Sequence, residues 1–361
     1  MSHNPTSATL EKPRPRTTHQ DVAQAITDRI RRGQLAASDK LPTFEDIKRE
    51  FGVAANTVDR AMALLEEEGL IVRRRGSGTY VAEKPAKTRP LRVGLIGATD
   101  VPESDYWMRF LAGVHSAVVR NRAEVLIPRD LDHLNWAEYD GLLVHGDWMP
   151  EVMLARPASL PVVAADGFMP GIFSVTRNDF EAGFLAAQHL MDLGHRSIGY
   201  MGWLDSAAGI LRQAGYRTAL AQAGLPFEAD LQWAFQHVEN TCLEEFGALN
   251  LELWIQSGLL SLGCTALIVQ NDFLAMGVIR ALKAHGISVP GQVSVVGFDN
   301  ERTAAEFIPA ITSVGTDMFR IGSYATESLL KLISGGTLEA VETRLAVQLT
   351  ARVSTAPAPT R

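Results

Sequence analysis

The chain has 361 residues, 46% of them hydrophobic, which is too long for one small domain and ample for two or three cores. Its net charge is −7, from 34 Lys/Arg and 41 Asp/Glu, which excludes a uniformly basic nucleic-acid-coating protein. Residues 1–88 hold 15 Lys/Arg against 12 Asp/Glu and the remainder 19 against 29, so a polyanion must be met by local placement near the start of the chain. No apolar run approaches the ~20 residues of a membrane span. The N-terminus lacks the apolar core of a secretory signal, so a cytoplasmic protein is expected. Cys242 and Cys264 show no metal or redox spacing and are expected to be buried free thiols.

Residues 1–18, rich in Pro, Thr and Arg, read as a disordered tail. A compact head is expected over residues 19–82. Val22, Ala25, Ile26 and Ile30 recur at helical spacing and predict a helix from Asp21 to Arg32, closed by Gly33. Thr43 and Asp46 have the spacing of a capping box for a second helix that turns inward Ile47 and Phe51. After Gly52, a third helix over 55–68 buries Val58, Met62 and Leu65, and leaves Asn56, Thr57, Asp59 and Arg60 at its exposed start. A helix-turn-helix reader offers side chains to the major groove from that position. Residues 71–75 and 79–81 alternate as two strands about Gly76-Ser77-Gly78. Arg73, Arg74 and Arg75 beside this tip suit phosphate neutralisation or minor-groove insertion.

The head resembles the winged helix of the GntR family of bacterial transcription regulators. The matching words are Leu41-Pro42-Thr43, Phe51-Gly52-Val53, Asn56-Thr57-Val58, Glu68-Gly69-Leu70-Ile71 and Gly76 through Val81. The resemblance implies a third helix in the major groove, a wing on the minor groove, and double-stranded operator DNA as partner. Glu45, Ala54-Ala55 and Asp59 stand where the family often has Arg, Ser-Arg and Arg. That moves the expected DNA contacts to Thr43, Lys48, Asn56, Thr57, Arg60, Arg73, Arg74, Arg75, Gly76, Ser77 and Gly78, and the third-helix cap to Asn56.

Residues 83–90, polar and carrying two prolines, read as a linker. From Leu91 onward apolar strands alternate with helices. Strands are expected at 91–96, 124–127, 141–145, 161–165, 198–202, 232–235, 265–270 and 293–298. Helices are expected at 106–120, 178–193, 213–223, 245–262 and 273–285. Such alternation predicts parallel, doubly wound sheets with right-handed crossovers, and ligands beyond the carboxyl ends of the strands. The interval 128–140 is short for a full crossover helix.

This part is similar to the LacI family of repressors and its periplasmic sugar-binding relatives. Asn178 to Gly202, Arg212 to Leu220, Gln270 to Gly277, Gly286 to Asn300 and Ile308 to Val314 carry the resemblance, which covers roughly 91–354. It implies an α/β sensor of two doubly wound lobes, type I periplasmic-binding-protein-like, following an N-terminal winged helix-turn-helix domain. The sensor is expected over 91–356, with a first lobe of 91–176 and 314–336 and a second of 177–310 and 338–356. It further implies a homodimer and a small effector in the cleft, most often a sugar; purines are bound by relatives on the same scaffold. Sugars are held by planar polar forks on adjacent hydroxyls and an aromatic face against the ring. Arg212, Asn271 and Asp299 match ligand positions of the family, Asp166 follows a strand at the same edge, and Arg177 joins them. Of the aromatics Tyr106, Trp107, Trp148, Phe168, Trp203 and Trp233, Trp107 and Trp148 are favoured because they follow strands at the cleft.

Enzyme chemistry finds little support. Gly94 and Gly97 form an incomplete dinucleotide fingerprint. No Gly-x-Ser-x-Gly elbow occurs, and the nine histidines offer no metal-ligand pair. His195, after a helix, reads as turn chemistry. No cofactor or metal is expected, and the reading is a ligand-controlled transcription regulator, most often a repressor in such families, rather than an enzyme.

Overall fold

The computed structural model describes residues 17–31, 33–74, 76–82, 89–97, 104–128, 130–131, 133–146, 151–236 and 242–360. Arg75, Trp148 and most of the expected tail and linker lie outside them. The chain divides into two compact units, Met1–Leu91 and Arg92–Arg361.

In the first unit, helices α1 (His19–Arg31), α2 (Phe44–Phe51) and α3 (Ala55–Glu67) precede strands β1 (Ile71–Arg74) and β2 (Gly78–Val81). Val22, Ile26, Ile47, Val58, Leu65, Ile71 and Val81 form one buried cluster. Helix α2 begins in a full capping box, with Thr43 and Asp46 satisfying each other's backbone amides, and ends at Gly52 in the left-handed region (φ 63°). Helix α3 starts at Ala55 with Ala54 as an N-cap lacking a side-chain bond. The expected cap at Asn56 is therefore wrong. The extended backbone of Ala54 already presents its carbonyl to the amides of Thr57 and Val58, which keeps Asn56 inside the first turn. β1 and β2 pair antiparallel, Arg73 opposite Thr79 and Arg74 opposite Gly78, and Lys40 adds an isolated bridge to Tyr80.

The second unit holds two six-stranded sheets. Its elements are β3 (Leu91–Ile96), α4 (Asp105–Arg120), β4 (Ala123–Leu126), β5 (Gly141–His145), β6 (Val162–Ala165), β7 (Phe173–Arg177), α5 (Asp179–Asp192), β8 (Ile198–Trp203) and α6 (Ala207–Gln222). There follow β9 (Gln232–Phe235), α7 (Leu243–Gln256), β10 (Ala266–Val269), α8 (Asp272–Ala284), β11 (Ser294–Phe298), α9 (Arg302–Glu306) and β12 (Thr312–Gly315). Last come α10 (Met318–Ile333), β13 (Glu342–Leu345) and β14 (Gln348–Thr350). The first lobe's sheet runs β13-β7-β6-β5-β3-β4 and the second's β14-β12-β11-β10-β8-β9. The chain passes between lobes after β7, after β12 and after β13. The central strands are buried apolar runs, such as Leu142–Val144 and Leu267–Val269, as parallel strands covered on both faces require.

Four expectations are corrected. β13 pairs parallel with β7, so residues 342–345 belong to the first lobe although 338–356 was expected in the second. Helix α6 starts at Ala207, six residues early, because Ser206 caps it through the amide of Gly209. The helix expected over 245–262 ends at Gln256, where Gly258 (φ 108°) breaks it before a short turn, Leu259–Leu262. Cys242 is exposed; Cys264 is half-buried and donates to the carbonyl of Ala266, and burial pushes its thiol up to about 11. His195 does more than turn the chain. It is 1% exposed and its ring bonds Thr265, Ser294 and the carbonyl of Ala356, tying the C-terminal segment to the second lobe. Between β4 and β5 the described residues hold a single short turn, Trp136–Glu138, and no α-helix. No helix among the described residues is long and apolar enough to cross a membrane.

Helices α5 and α6 approach through glycines. A Cβ on Gly183 would lie 1.9 Å from the carbonyl oxygen of Arg212, and one on Gly215 would lie 1.9 Å from that of Phe180. Neither neighbour can yield without moving a helix axis. Gly183→Ala is expected to cost about 1–3 kcal/mol through overpacking, seen as a lower urea midpoint; an unchanged midpoint would show that the helices have room to part.

Candidate DNA interface and effector cleft

The expected DNA contacts fall into two groups. In α3, Asn56 and Arg60 are exposed in the first turns and Thr57 is half-buried. The hydroxyl of Thr43 is used in the α2 cap, and Lys48 pairs at 3.2 Å with Glu45 on the exposed face of α2. In the wing, Arg73 and Arg74 are placed differently. Arg73 turns back onto α3, with Nε 3.0 Å from Glu66 and Nη2 4.0 Å from Asp59. Arg74 is exposed and lays its guanidinium over the Tyr80 ring at 4.9 Å. Gly76 and Gly78 take positive φ (76° and 122°), and Ser77 bonds the Tyr80 hydroxyl at 2.7 Å. Lys40, which the sequence reading passed over, stands 5.9 Å from the same ring and against Gly78. Cation–aromatic stacking holds such side chains at the wing.

In the second unit, strand ends of both lobes meet in one charged cluster. Arg177, last residue of β7, donates Nη1 to Asp299 at 2.8 Å, and its Nε lies 3.3 Å from Asp179 and 3.4 Å from Asp166. Arg212 donates Nε to Asp179 at 2.8 Å and Nη1 to the carbonyl of Gln270, with Nη2 3.5 Å from Asp299. The early start of α6 therefore places Arg212 inside a helix, 2% exposed, and not at the loop edge expected of it. Asp166, Asp299 and Asn300 all hold left-handed backbones (φ 59°, 91° and 53°). Strained residues of this kind gather where a site demands a particular side-chain direction, and Asp and Asn tolerate the conformation best.

The cluster has more carboxylates than guanidiniums. Burial pushes Asp166 up to about 7 against the pull of Arg177, and burial with the charge of Arg177 lowers His145 to about 3. Asp166 Oδ1, His145 Nε2 and Arg177 Nε are buried without hydrogen-bond partners, although His145 Nε2 is only 3.8 Å from Asp166 Oδ2. Asp166 Oδ1 and Arg177 Nε nonetheless face each other as an ion pair at 3.4 Å. Burial raises Asp272 well above its usual range; it accepts the amide of Glu301 at 2.8 Å.

Of the expected ligand residues, Asp166, Arg177, Arg212 and Asp299 come together. Asn271 is 7% exposed and its carboxamide oxygen caps α8 through the amide of Leu274 at 2.8 Å. Trp107 is not a ligand platform. It is 6% exposed, stacks on Phe110 at 5.2 Å and meets His145 edge-on. Its place in the 107, 110, 114 stripe of α4 turns it to the core. The neighbouring Tyr106 is the aromatic at the cluster, with the Arg177 guanidinium 5.4 Å over its ring. His145 and Asp179 were missed, and Tyr106 was named but ranked below Trp107, an order that helix phase would have reversed.

Two outcomes follow. Arg74→Ala should weaken operator binding and reduce the salt slope by about 0.9; an unchanged affinity and slope would remove the wing from the interface. Asp166 has its folded-state pKa raised from 3.8 to about 7, so the folded chain keeps a proton that the unfolded chain releases. Stability should therefore fall as pH rises through that window, and Asp166→Asn should flatten the fall in urea midpoints measured from pH 4 to 8.

Comparison with known proteins agrees with this architecture. Residues 18–81 match the family of bacterial regulatory proteins, gntR family, and residues 187–355 match the periplasmic binding protein-like domain. The chain is 28% identical over 350 residues to the HTH-type transcriptional repressor PurR of Erwinia tasmaniensis, covering 89% of this chain and 99% of that one. It is 25% identical over 351 residues to the arabinose metabolism transcriptional repressor of Geobacillus stearothermophilus, covering 89% and 92%. The crystal structure of a LacI family transcriptional regulator from Mycobacterium smegmatis superposes with a TM-score of 0.64 at 27% identity, over 74% of this chain and all of that one. The chain thus joins a helix-turn-helix domain of the gntR family to a periplasmic binding protein-like domain, and over most of its length it is similar to transcriptional repressors.

Proposed function

We propose that this regulator is a cytoplasmic homodimeric repressor whose hold on its operator is set by a sugar in the cleft between the two sensor lobes. The observation that carries this reading is the meeting of Asp166, Arg177, Arg212 and Asp299 with Tyr106 at the strand ends of both lobes. Forked guanidiniums and carboxylates beside an aromatic face are the groups that recognise adjacent hydroxyls and the C–H side of a sugar ring. The name of the Geobacillus relative, tied to arabinose metabolism, points the same way.

In this reading the head covers 19–82, the linker 83–90 and the sensor 91–356. The first turns of α3, with Asn56, Thr57 and Arg60, read the major groove, and the wing with Arg74 and Gly76–Gly78 meets the backbone or minor groove. Two heads on a two-fold dimer suit a near-palindromic operator. Effector and operator then oppose each other through a coupling of about 1–3 kcal/mol. Binding at both ends makes or breaks no covalent bond, and the relatives, all transcription regulators, support a non-enzymatic role.

A thermal-shift panel of pentoses, hexoses and nucleobases tests the effector class. A sugar at 100 times its Kd should add about 2.7 kcal/mol of stability to the folded chain. The same sugar should change operator affinity, and Asp299→Asn should remove its effect while unliganded operator binding persists. A shift confined to nucleobases would transfer the cleft to planar bases, and absence of operator binding at low ionic strength would end the reading.

A further inference from the structure

The two lobes also touch through a contact that involves none of the expected ligand residues. Glu301 follows β11 in the second lobe, yet its carboxylate lies on the start of α4 in the first. It accepts the hydroxyl of Ser104, the amide of Asp105 at 3.0 Å and the amide of Tyr106 at 3.3 Å. Glu301 is 2% exposed and Ser104 4%. Beside it, Arg109 of α4 donates Nη2 to the carbonyl of Asn300 at 3.1 Å while pairing with Asp105 at 2.9 Å. The backbone that presents these groups is itself constrained. Asp299 and Asn300 are left-handed, the amide of Asn300 bonds Ser313, and the amide of Glu301 bonds Asp272.

The first amides of a helix have no partner within the helix, and the aligned peptide dipoles place positive charge there. Helix α4 has sixteen residues and its Ser104 side chain satisfies only the amide of Trp107. The next two amides, on Asp105 and Tyr106, are satisfied by a carboxylate almost two hundred positions later in the chain. Separating the lobes would strip the cap from α4 and return the Glu301 carboxylate and the α4 amides to water. Both changes fall at the same instant, so the contact is made or broken as a unit.

We propose that Glu301 is the positioning residue that registers lobe closure, acting as a cap lent by the second lobe to α4 of the first, with Arg109 and Asn300 as its second fastening. Tyr106, on the first turn so fixed, is the aromatic that stacks on Arg177, so the same contact sets the cleft wall. The inference builds on the cleft reading for its consequence, but its test needs neither effector nor operator.

The test is a distance measured between lobes in the full-length chain. Spin labels on Ala137→Cys and Ala229→Cys, both exposed and distal to the strand ends, report the opening; Cys242→Ser removes the exposed native thiol. Labelled chains are diluted with unlabelled chain so that only distances within one chain are read. The parent should give one short, narrow population. Glu301→Ala should add a longer one, and Arg109→Gln should shift the distribution in the same direction. Should Glu301→Ala fail to fold, Glu301→Gln keeps the packing with a weaker acceptor and is expected to give a smaller share of the longer population. A purely local cap would fray α4, seen as faster amide exchange at 105–106, with the inter-lobe distance unmoved. An unmoved distance in both Glu301→Gln and Arg109→Gln overturns the proposal.

Discussion

Two buried guanidiniums amid three carboxylates set the terms for the whole sensor. Arg212 and Arg177 share Asp179 and Asp299, and Arg177 alone reaches Asp166. Charges withdrawn from water are tolerated only when mutually compensated, and removing one partner typically costs about 3–5 kcal/mol. The backbone must therefore deliver each group to its place: Ser206 starts α6 early enough to bury Arg212, Asn178 caps α5 so that Asp179 falls at its first residue, and left-handed turns aim Asp166 and Asp299. The compensation is incomplete, because one carboxylate exceeds the guanidiniums. Burial, with the neighbouring Asp179 and Asp299 adding to it against the pull of Arg177, pushes Asp166 up to about 7. A site so arranged is ordered before a ligand arrives and still has unmet polar valence to offer.

The head obeys a different rule. Its fold depends on local devices: a capping box, a left-handed glycine and a tight wing turn about one small apolar cluster. Its surface charge is then divided between fold and function. Arg73 is used internally against Glu66 and Asp59, while Arg74 and Lys40 flank Tyr80. An acidic chain can thus present positive charge where a groove reader needs it, without a generally basic surface.

These differences explain what the sequence made readable. Every head element was visible, because caps and glycine turns are written within four or five residues of where they act. The buried strands of the sensor were visible as unbroken apolar runs. Strands β7, β12, β13 and β14 were not, because Ser174, Thr176, Thr312 and Ser313 are buried polar residues and Glu342–Leu345 and Gln348–Thr350 are polar edges. Four of the seven expected cleft residues converge: Asp166 and Asp299 stand at strand ends that the alternation made visible, whereas Arg177 and Arg212 came from the family resemblance. Trp107 and Tyr106 were exchanged because neighbours on a helix differ by about a hundred degrees, and only the buried stripe tells which is inward. Glu301 left no signal at all, since its partners lie in another lobe.

Neither lobe is a continuous stretch of chain. The first is completed by α10 and β13, and the second by β14 and the segment that His195 grips through Ala356. During synthesis the head has all its residues once position 82 has emerged, and domains generally fold as units, N-terminal first. The sensor must wait for residues beyond 340 before either sheet has its last edge. A nascent chain thus carries a complete head well before its sensor can close either sheet, and the interval is set by how far β13 and β14 lie behind the head in the chain.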